Sequence, residues 1–502
     1  MARWSAALCF LAAASCAANG GDGQSEAAFD FGGVFDDTYA GEIDRTVVPR
    51  RPDGPPNVVL IIADDLGWPY LGFLGDENVM TPNMDILGNG GAVFEVGHAT
   101  SNFCRPTLQS LITGLYPVQY ETAMGEIADA AMAAADLPAE AETPRERQAL
   151  RQQFETAAIE AFETLPRRLA EIGYASHQSG KWWEQSYAHG GFTHGMTGTW
   201  TWEDAAALGD RWFFTFMGGQ GQRIGRETMA PVTEFIEDHA EQPFFVWYGP
   251  ALPHTPLNPP DAFYKYFQDR DDLSASAKLY YANIAWFDWG VGELLDTLRD
   301  ERLLDNTLIV YVNDNGWEQP ADVDYSQDNV TFANGGPRGK GSFFETGFRT
   351  PIIFYWRGEI MAMRDKATLA SALDIMPTIL DYAGLPAGDD LPGYSLRPAI
   401  EGAQLPAPRD SFIGRMTQHR AGTDFRGAPS DFTEDHMGAP MGGYYRRDVR
   451  WHFVWLPGSG ETALYDLSAD PGQLVDVSAR YPGLVAGFKG DIEAWRAEFE
   501  AP

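Results

Sequence analysis

The sequence predicts an α/β protein: a large mixed, mostly parallel sheet sandwiched by helices, followed by a smaller C-terminal α+β subdomain carrying an antiparallel sheet. Three observations lead there. Val58-Val59-Leu60-Ile61-Ile62-Ala63, Phe244-Phe245-Val246-Trp247-Tyr248 and Leu308-Ile309-Val310-Tyr311-Val312 are unbroken apolar runs, as expected of strands buried on both faces. Tyr280 to Arg299 places Ile284, Phe287, Val291, Leu294, Leu295 and Leu298 on one side of a helix, which suits a layer over such a sheet. Beyond about residue 400 the texture changes. A strand-like Tyr444 to Trp455 and Leu464-Tyr465-Asp466-Leu467 precede a helical stretch from Gly483 to Phe499, which reads as a short sheet with a helix against it.

In chain order, residues 1–16 read as an export signal. Met1-Ala2-Arg3 gives a basic start, Trp4 to Ala14 is apolar but too short to span a bilayer, and Ala13-Ala14-Ser15-Cys16 offers small residues for cleavage. Cys16 is placed to carry a lipid, with plain cleavage as the alternative. The expected location is therefore outside the cytoplasm: periplasmic, anchored to an outer membrane through that lipid, or secreted. Residues 17–55, rich in Gly and ending Arg50-Arg51-Pro52-Asp53-Gly54-Pro55-Pro56, read as a linker. The main domain is expected over 56–400 and the C-terminal subdomain over 401–502. Within the main domain, residues 121–172 read as one or two helices, broken near Leu137-Pro138 and Thr143-Pro144: a surface helical pair, with a lid insertion as the alternative.

Composition narrows the partners. The 502 residues are 44% hydrophobic and 13% aromatic, enough for a large core. Acidic residues outnumber basic ones 71 to 36, for a formal charge of −35, which argues against nucleic acid as a partner. The plainest meaning of such a charge is solubility in a salty habitat.

Candidate chemistry gathers at a few points. His98 to Tyr116 reads HATSNFCRPTLQSLITGLY, with Cys104 just before a helix that Pro106, Leu108, Leu111 and Ile112 predict. Free N–H groups and the positive dipole end there favour an anion or a thiolate, whereas most lone cysteines are simply buried. Of three cysteines, Cys9 and Cys16 fall in the export signal, so Cys104 has no disulfide partner in an exported body and a reactive or modified role gains weight. The first apolar run ends in Asp64-Asp65, and the third in Asn313-Asp314-Asn315-Gly316. Carboxylates at the ends of buried strands need a cation or donors, unless they are solvated turn residues. Oxygen donors suit a hard cation such as Ca²⁺ or Mg²⁺ better than zinc. His254 is pinned between Pro253 and Pro256. Gly335 to Ser342 is a flexible basic loop, like a phosphate-binding loop only superficially.

Together these stretches resemble the formylglycine-dependent sulfatases of the alkaline phosphatase superfamily. The resemblance rests on Asp64-Asp65, TPNMD from Thr81, CRPTLQSLITGLYP from Cys104, GKW from Gly180, PHTP from Pro253, NDNG from Asn313, GKGSFFETGFRTP from Gly339, DIMPTILDYAG from Asp374 and LYDLSADPGQ from Leu464. It implies that a maturation enzyme oxidises Cys104 to formylglycine, whose hydrate is the nucleophile. It implies Ca²⁺ held by Asp64, Asp65, Asp314 and Asn315 and touching residue 104, with Lys181 and Lys340 on the sulfate oxygens and His254 as the acid for the leaving group. The implied substrate is a sulfated carbohydrate or an aryl ester.

Two departures bear on activity. Sulfatases usually read C-x-P-x-R, and the Arg position is Leu108 here; they usually read GKWH, and Trp183 stands for the His. Arg105, His189 and His194 are the nearby candidates to compensate. The departures keep two alternatives open, a phosphate or phosphonate ester hydrolase of the same superfamily and a catalytically impaired relative that binds sulfated ligands. Trp182, Trp183, Trp200, Trp202 and Trp212 suit either sugar stacking or core packing.

Overall fold

In the computed structural model, the described residues are 54–135, 144–208, 212–318, 339–388, 390–406, 408–416 and 443–500. The export signal, nearly all of the linker, the expected helix break at Leu137-Pro138 and Arg338 with the preceding part of its basic loop lie outside them.

Nine strands form the main sheet: β1 (Asn57–Ala63), β2 (Ala92–His98), β3 (Ala175–Gly180), β4 (His194–Gly195), β5 (Phe244–Gly249), β6 (Thr307–Asn313), β7 (Arg349–Tyr355), β8 (Met363–Asp365) and β9 (Ala370–Ser371). Their order is β4-β3-β5-β1-β6-β7-β2-β8, with β9 also on β2. Only β7 runs against the others, pairing antiparallel with β6 and β2. The expected mixed, mostly parallel sheet is what forms.

The alternation of β1 shows why both faces are covered. Val59, Ile61 and Ala63 join an apolar layer with helices Pro82–Gly90, Ala230–Asp238 and Ala275–Asp300. Val58, Leu60 and Ile62 join the opposite layer with helices Cys104–Thr113, Leu165–Ala170 and Ile375–Tyr382. Every residue of β1, β3, β5 and β6 is buried. Each large apolar side chain so buried contributes about 1.5–3 kcal/mol, so the sheet is a stiff platform for whatever follows its carboxyl ends. The stretch read as one or two helices carries three: most of Pro117–Ala134, then Pro144–Ala157 and a short Leu165–Ala170.

The C-terminal sheet contains β10 (Phe412–Met416), β11 (Gly443–Arg447), β12 (Trp451–Leu456) and β13 (Glu461–Asp466), all antiparallel. The single strand-like segment expected over Tyr444 to Trp455 is in fact a hairpin, because the chain reverses after Arg447 and Asp448 accepts from the backbone N–H groups of Arg450 and Trp451. Phe412, Met416, Tyr445 and Val454 face Val96, Phe344 and Phe348 of the main domain. Tyr444, Phe453 and Leu464 face Phe488, Ile492 and Trp495 of helix Pro482–Phe499. A buried fork reinforces the docking: Arg447 Nε and Nη2 donate to Glu345 at 3.0 and 2.8 Å, and Gln473 Oε1 accepts from Glu345 N at 2.7 Å.

Candidate active site

Adjacent strands β3, β5, β1 and β6 deliver Lys181, His254, Asp64 with Asp65, and Asp314 with Asn315 just beyond their carboxyl ends. In open α/β sheets this edge is where ligands bind. The main chain is stitched across it, since Asp64 N donates to Leu252 O (2.9 Å), Lys181 N to Gly249 O (2.8 Å) and Asp314 N to Ala63 O (3.0 Å).

Close backbone approach explains two glycines. Gly180 has φ +89°, and a Cβ there would lie 1.8 Å from Gly249 O; Gly316 is equally crowded, with Thr346 O at 1.9 Å. Asp65 itself takes the left-handed conformation at φ 65°. Its N–H donates to Asp314 Oδ1 (3.0 Å) and its carbonyl accepts from Tyr280 Oη (2.8 Å), which is enough to hold it there. Tyr280 in turn stacks on Trp317 at 3.9 Å.

The side chains converge. Lys181 Nζ lies 2.6 Å from Asp64 Oδ2, Lys340 Nζ 2.8 Å from Asp65 Oδ1, and His254 Nε2 3.6 Å from Asp65 Oδ2. Asn315 Nδ2 donates to Asp65 Oδ1 at 2.6 Å. Cys104 Sγ is 3.4 Å from Lys181 Nζ and 3.9 Å from Asp65 Oδ1. His254 Nδ1 donates to Thr255 O (2.5 Å), which leaves Nε2 facing the cluster. Arg226 fixes that loop, its guanidinium donating to Ala251 O at 2.6 Å and His254 O at 2.7 Å. Asn102 ties the Cys104 segment to the Lys340 loop, donating to Ser342 O and accepting from Gly341 N. All eight residues singled out in the sequence are thus part of one constellation.

The electrostatics follow from burial and neighbours. Burial pushes the Asp65 carboxyl up, but the charges of Lys340, His254 and Lys181 outweigh it and hold the group well below the usual range. Asp314 is driven well above that range by burial, then by Asp64 and Asp65. Burial and then Lys181 lower His254, while Asp64 and Asp65 pull it back. Cys104 is raised well above an ordinary thiol, burial outweighing Lys181 and Lys340. Cys104 is the first residue of its helix, where burial weighs more against the thiolate than the two ammonium groups weigh for it.

A hard cation fits these residues. Asp64, Asp65, Cys104 and His254 each bring a ligand atom within 4.8 Å of the others. Asp314 Oδ2 and Asn315 Oδ1 are buried and accept no hydrogen bond among the described residues. Buried oxygens without donors are what a divalent ion satisfies.

Leu108 and Trp183, the two departures from the family pattern, are 5% and 8% exposed and both belong to the apolar layer on that side of the sheet. Trp182, Trp183 and Trp200 are all core residues, which decides for packing over sugar stacking at those positions. His189 bonds Ser186 and faces Glu160, and His194 pairs with His177 in the amino half of β3, away from the edge that carries the cluster. Arg105 is forked onto Glu184. Glu184 and Arg226 were not singled out in the sequence; an acid inside the aromatic run Lys181-Trp182-Trp183-Glu184 was the only signal for the first.

The chain is similar to known proteins of one family. The family model described as Sulfatase matches residues 56–385. The N-acetylgalactosamine-6-sulfatase of Canis lupus familiaris is 27% identical over 383 residues, 70% of this chain and 67% of that protein. Human arylsulfatase A is 26% identical over 510 residues, covering 89% of each. The crystal structure of Ps i-CgsB in complex with k-i-k-neocarrahexaose superposes with a TM-score of 0.65 at 23% identity, covering 88% of this chain and 92% of that one. With the Sulfatase model spanning well over half of its length, the chain belongs to the sulfatase family of enzymes.

Proposed function

We propose that this enzyme cleaves the sulfate ester of a sulfated carbohydrate, or of an aryl sulfate, with a formylglycine made from Cys104 by a maturation enzyme and with Ca²⁺ in the acidic cluster. The observation that carries the proposal is the placement of Cys104 Sγ between Lys181 Nζ and Asp65 Oδ1, at 3.4 and 3.9 Å. Bound there, the cation would draw charge from a sulfate oxygen and acidify the hydroxyl of a hydrated formylglycine. Asp64, Asp65, Asp314 and Asn315 would hold it.

The chain's own groups supply the rest. The Lys181 and Lys340 ammonium groups, now resting on Asp64 and Asp65, are free to turn to sulfate oxygens once a cation takes those carboxylates. His254, its Nδ1 committed to Thr255 O, presents Nε2 to protonate the departing oxygen. Burial lowers its proton affinity, and the arrival of an anionic sulfate restores it. Residues 17–55 as a linker, a domain boundary near residue 400, and export with or without a lipid on Cys16 belong to the same proposal; among the described residues no helix is long and apolar enough to cross a membrane.

Mass spectrometry of the Cys104 peptide from protein made in its native host, beside assays with aryl sulfate, aryl phosphate and sulfated oligosaccharides, tests this. An aldehyde at position 104, a preference for sulfate esters and loss of turnover with chelator, restored by Ca²⁺, are expected. An intact thiol throughout, or dominant phosphate turnover, overturns it.

A further inference from the structure

Leu108 and Trp183 stand where the family pattern has an Arg and a His, and the structure shows a different polar assembly next to Cys104. Arg105, immediately after Cys104, donates from Nε to Glu184 Oε1 at 2.8 Å and from Nη2 to Glu184 Oε2 at 3.0 Å. Glu184 lies three residues after Lys181, and its side chain is 3% exposed. It also accepts from Gln109 Nε2 at 2.9 Å and Tyr120 Oη at 3.2 Å. Its backbone carbonyl accepts from Trp182 Nε1 at 3.0 Å. The Arg105 guanidinium lies 5.5 Å from the centre of the Phe216 ring, which packs edge-on against Trp183 at 5.1 Å.

This buried carboxylate therefore ties the first turn of the Cys104 helix to the segment that carries Lys181. Both anchors are short: one residue from Cys104 and three from Lys181. Bidentate Arg–carboxylate pairs fix orientation as well as distance, and burial shields this one from screening.

Resting on the proposed function, we infer that Arg105 and Glu184 are positioning residues: their fork sets the approach of residue 104 to Lys181. Neither touches the reacting atoms. A misplacement of about 1 Å at such a site costs on the order of 10²-fold in rate, which fixes the size of effect to expect.

The test compares wild type with Arg105→Gln, Arg105→Lys, Glu184→Gln and the Arg105→Gln/Glu184→Gln double variant on aryl sulfate. Conversion of Cys104 and the unfolding midpoint are measured on each sample. Arg105→Gln should lower kcat by about 10²-fold with KM within about threefold, and Arg105→Lys, which keeps the charge but loses the fork, should fall between. The double variant should be no worse than the weaker single one, because the pair acts as a unit. A second readout is independent of turnover. In protein made without maturation, alkylation of the Cys104 thiol should be slow in wild type and at least about fivefold faster in Arg105→Gln, as the buried sulfur is released.

Unchanged kcat and alkylation, additive losses, or a fall in kcat matched by lost conversion or lost folded protein would each overturn the inference. Wild-type protein that carries formylglycine yet turns over no sulfate ester fails the functional proposal instead, and the alkylation rates still decide the role of the fork.

Discussion

At the scale of single residues, the site depends on positions where no other side chain fits. Gly180 combines a left-handed backbone with a carbonyl 1.8 Å from where a Cβ would stand. Gly180→Ala must push β3 from β5 at the point where Lys181 leaves the sheet. We expect a loss of roughly 3 kcal/mol in urea unfolding and, in the protein that still folds, about 10²-fold in kcat. Wild-type stability and rate in this variant would show that Lys181 is not placed by that turn. The same scale explains what was legible beforehand. Asp64, Asp65, Asp314 and Asn315 stood out because they end apolar runs, and a charge at such a point needs a reason. Glu184 carried no such contrast: its importance comes from Arg105, Gln109 and Tyr120, which lie 79, 75 and 64 residues away in the chain.

Among elements, β1, β5 and β6 were evident from their apolar runs, whereas β3 was not. Its sequence ASHQSG is polar, yet every residue is buried. Three of its four polar side chains are satisfied inside the fold, since Ser176 exchanges hydrogen bonds with Thr193, Gln178 Nε2 donates to Gly180 O and Ser179 Oγ to Trp247 O. Periodicity cannot report such a strand, because its burial is made possible by partners elsewhere. The docking of the C-terminal sheet offers an element-scale prediction. His98, at the end of β2, stacks on Phe412 at 4.6 Å and Tyr445 at 5.2 Å, and burial pushes its pKa down to about 3. Burial raises Glu345, but Arg447, His452 and Arg349 outweigh it and hold the carboxyl well below its usual range. For His98 the unfolded chain binds a proton below about 6.5 and the folded one does not, so its contribution is whole above that pH and drains as pH falls towards 3. Glu345 acts in the same direction, losing its contribution as pH falls below the ordinary carboxylate range. Urea midpoints should therefore drop between about pH 7.5 and pH 5, and His98→Phe should flatten that slope. Glu345→Gln should cost about 3–5 kcal/mol at neutral pH, because Arg447 is left buried without its counter-charge. A midpoint that is flat with pH in wild type would mean that this interface does not limit stability.

For the whole molecule, the deciding quantity is the imbalance between a formal charge of −35 and a candidate active-site cluster whose two lysines are 2% and 9% exposed. In the proposed function the buried ammonium groups would act over a few ångströms on a sulfate already in place, while the acidic surface acts over a screening length. That length is about 30 Å at 0.01 M salt and about 10 Å at 0.1 M. A substrate with one sulfate meets little of the outer field, but an oligosaccharide bearing several is repelled before it reaches Lys181 and Lys340. Raising salt from about 0.01 to 0.1 M should then increase kcat/KM for a multiply sulfated oligosaccharide by roughly tenfold, and for a monosulfated aryl ester by less than about twofold. Stopped-flow or initial-rate measurements on both substrates at matched pH separate this from a general effect of salt on folding, which would move the two together. A decrease for the oligosaccharide would show the opposite balance, in which a local basic surface around the site outweighs the charge of the molecule and steers the polyanion in.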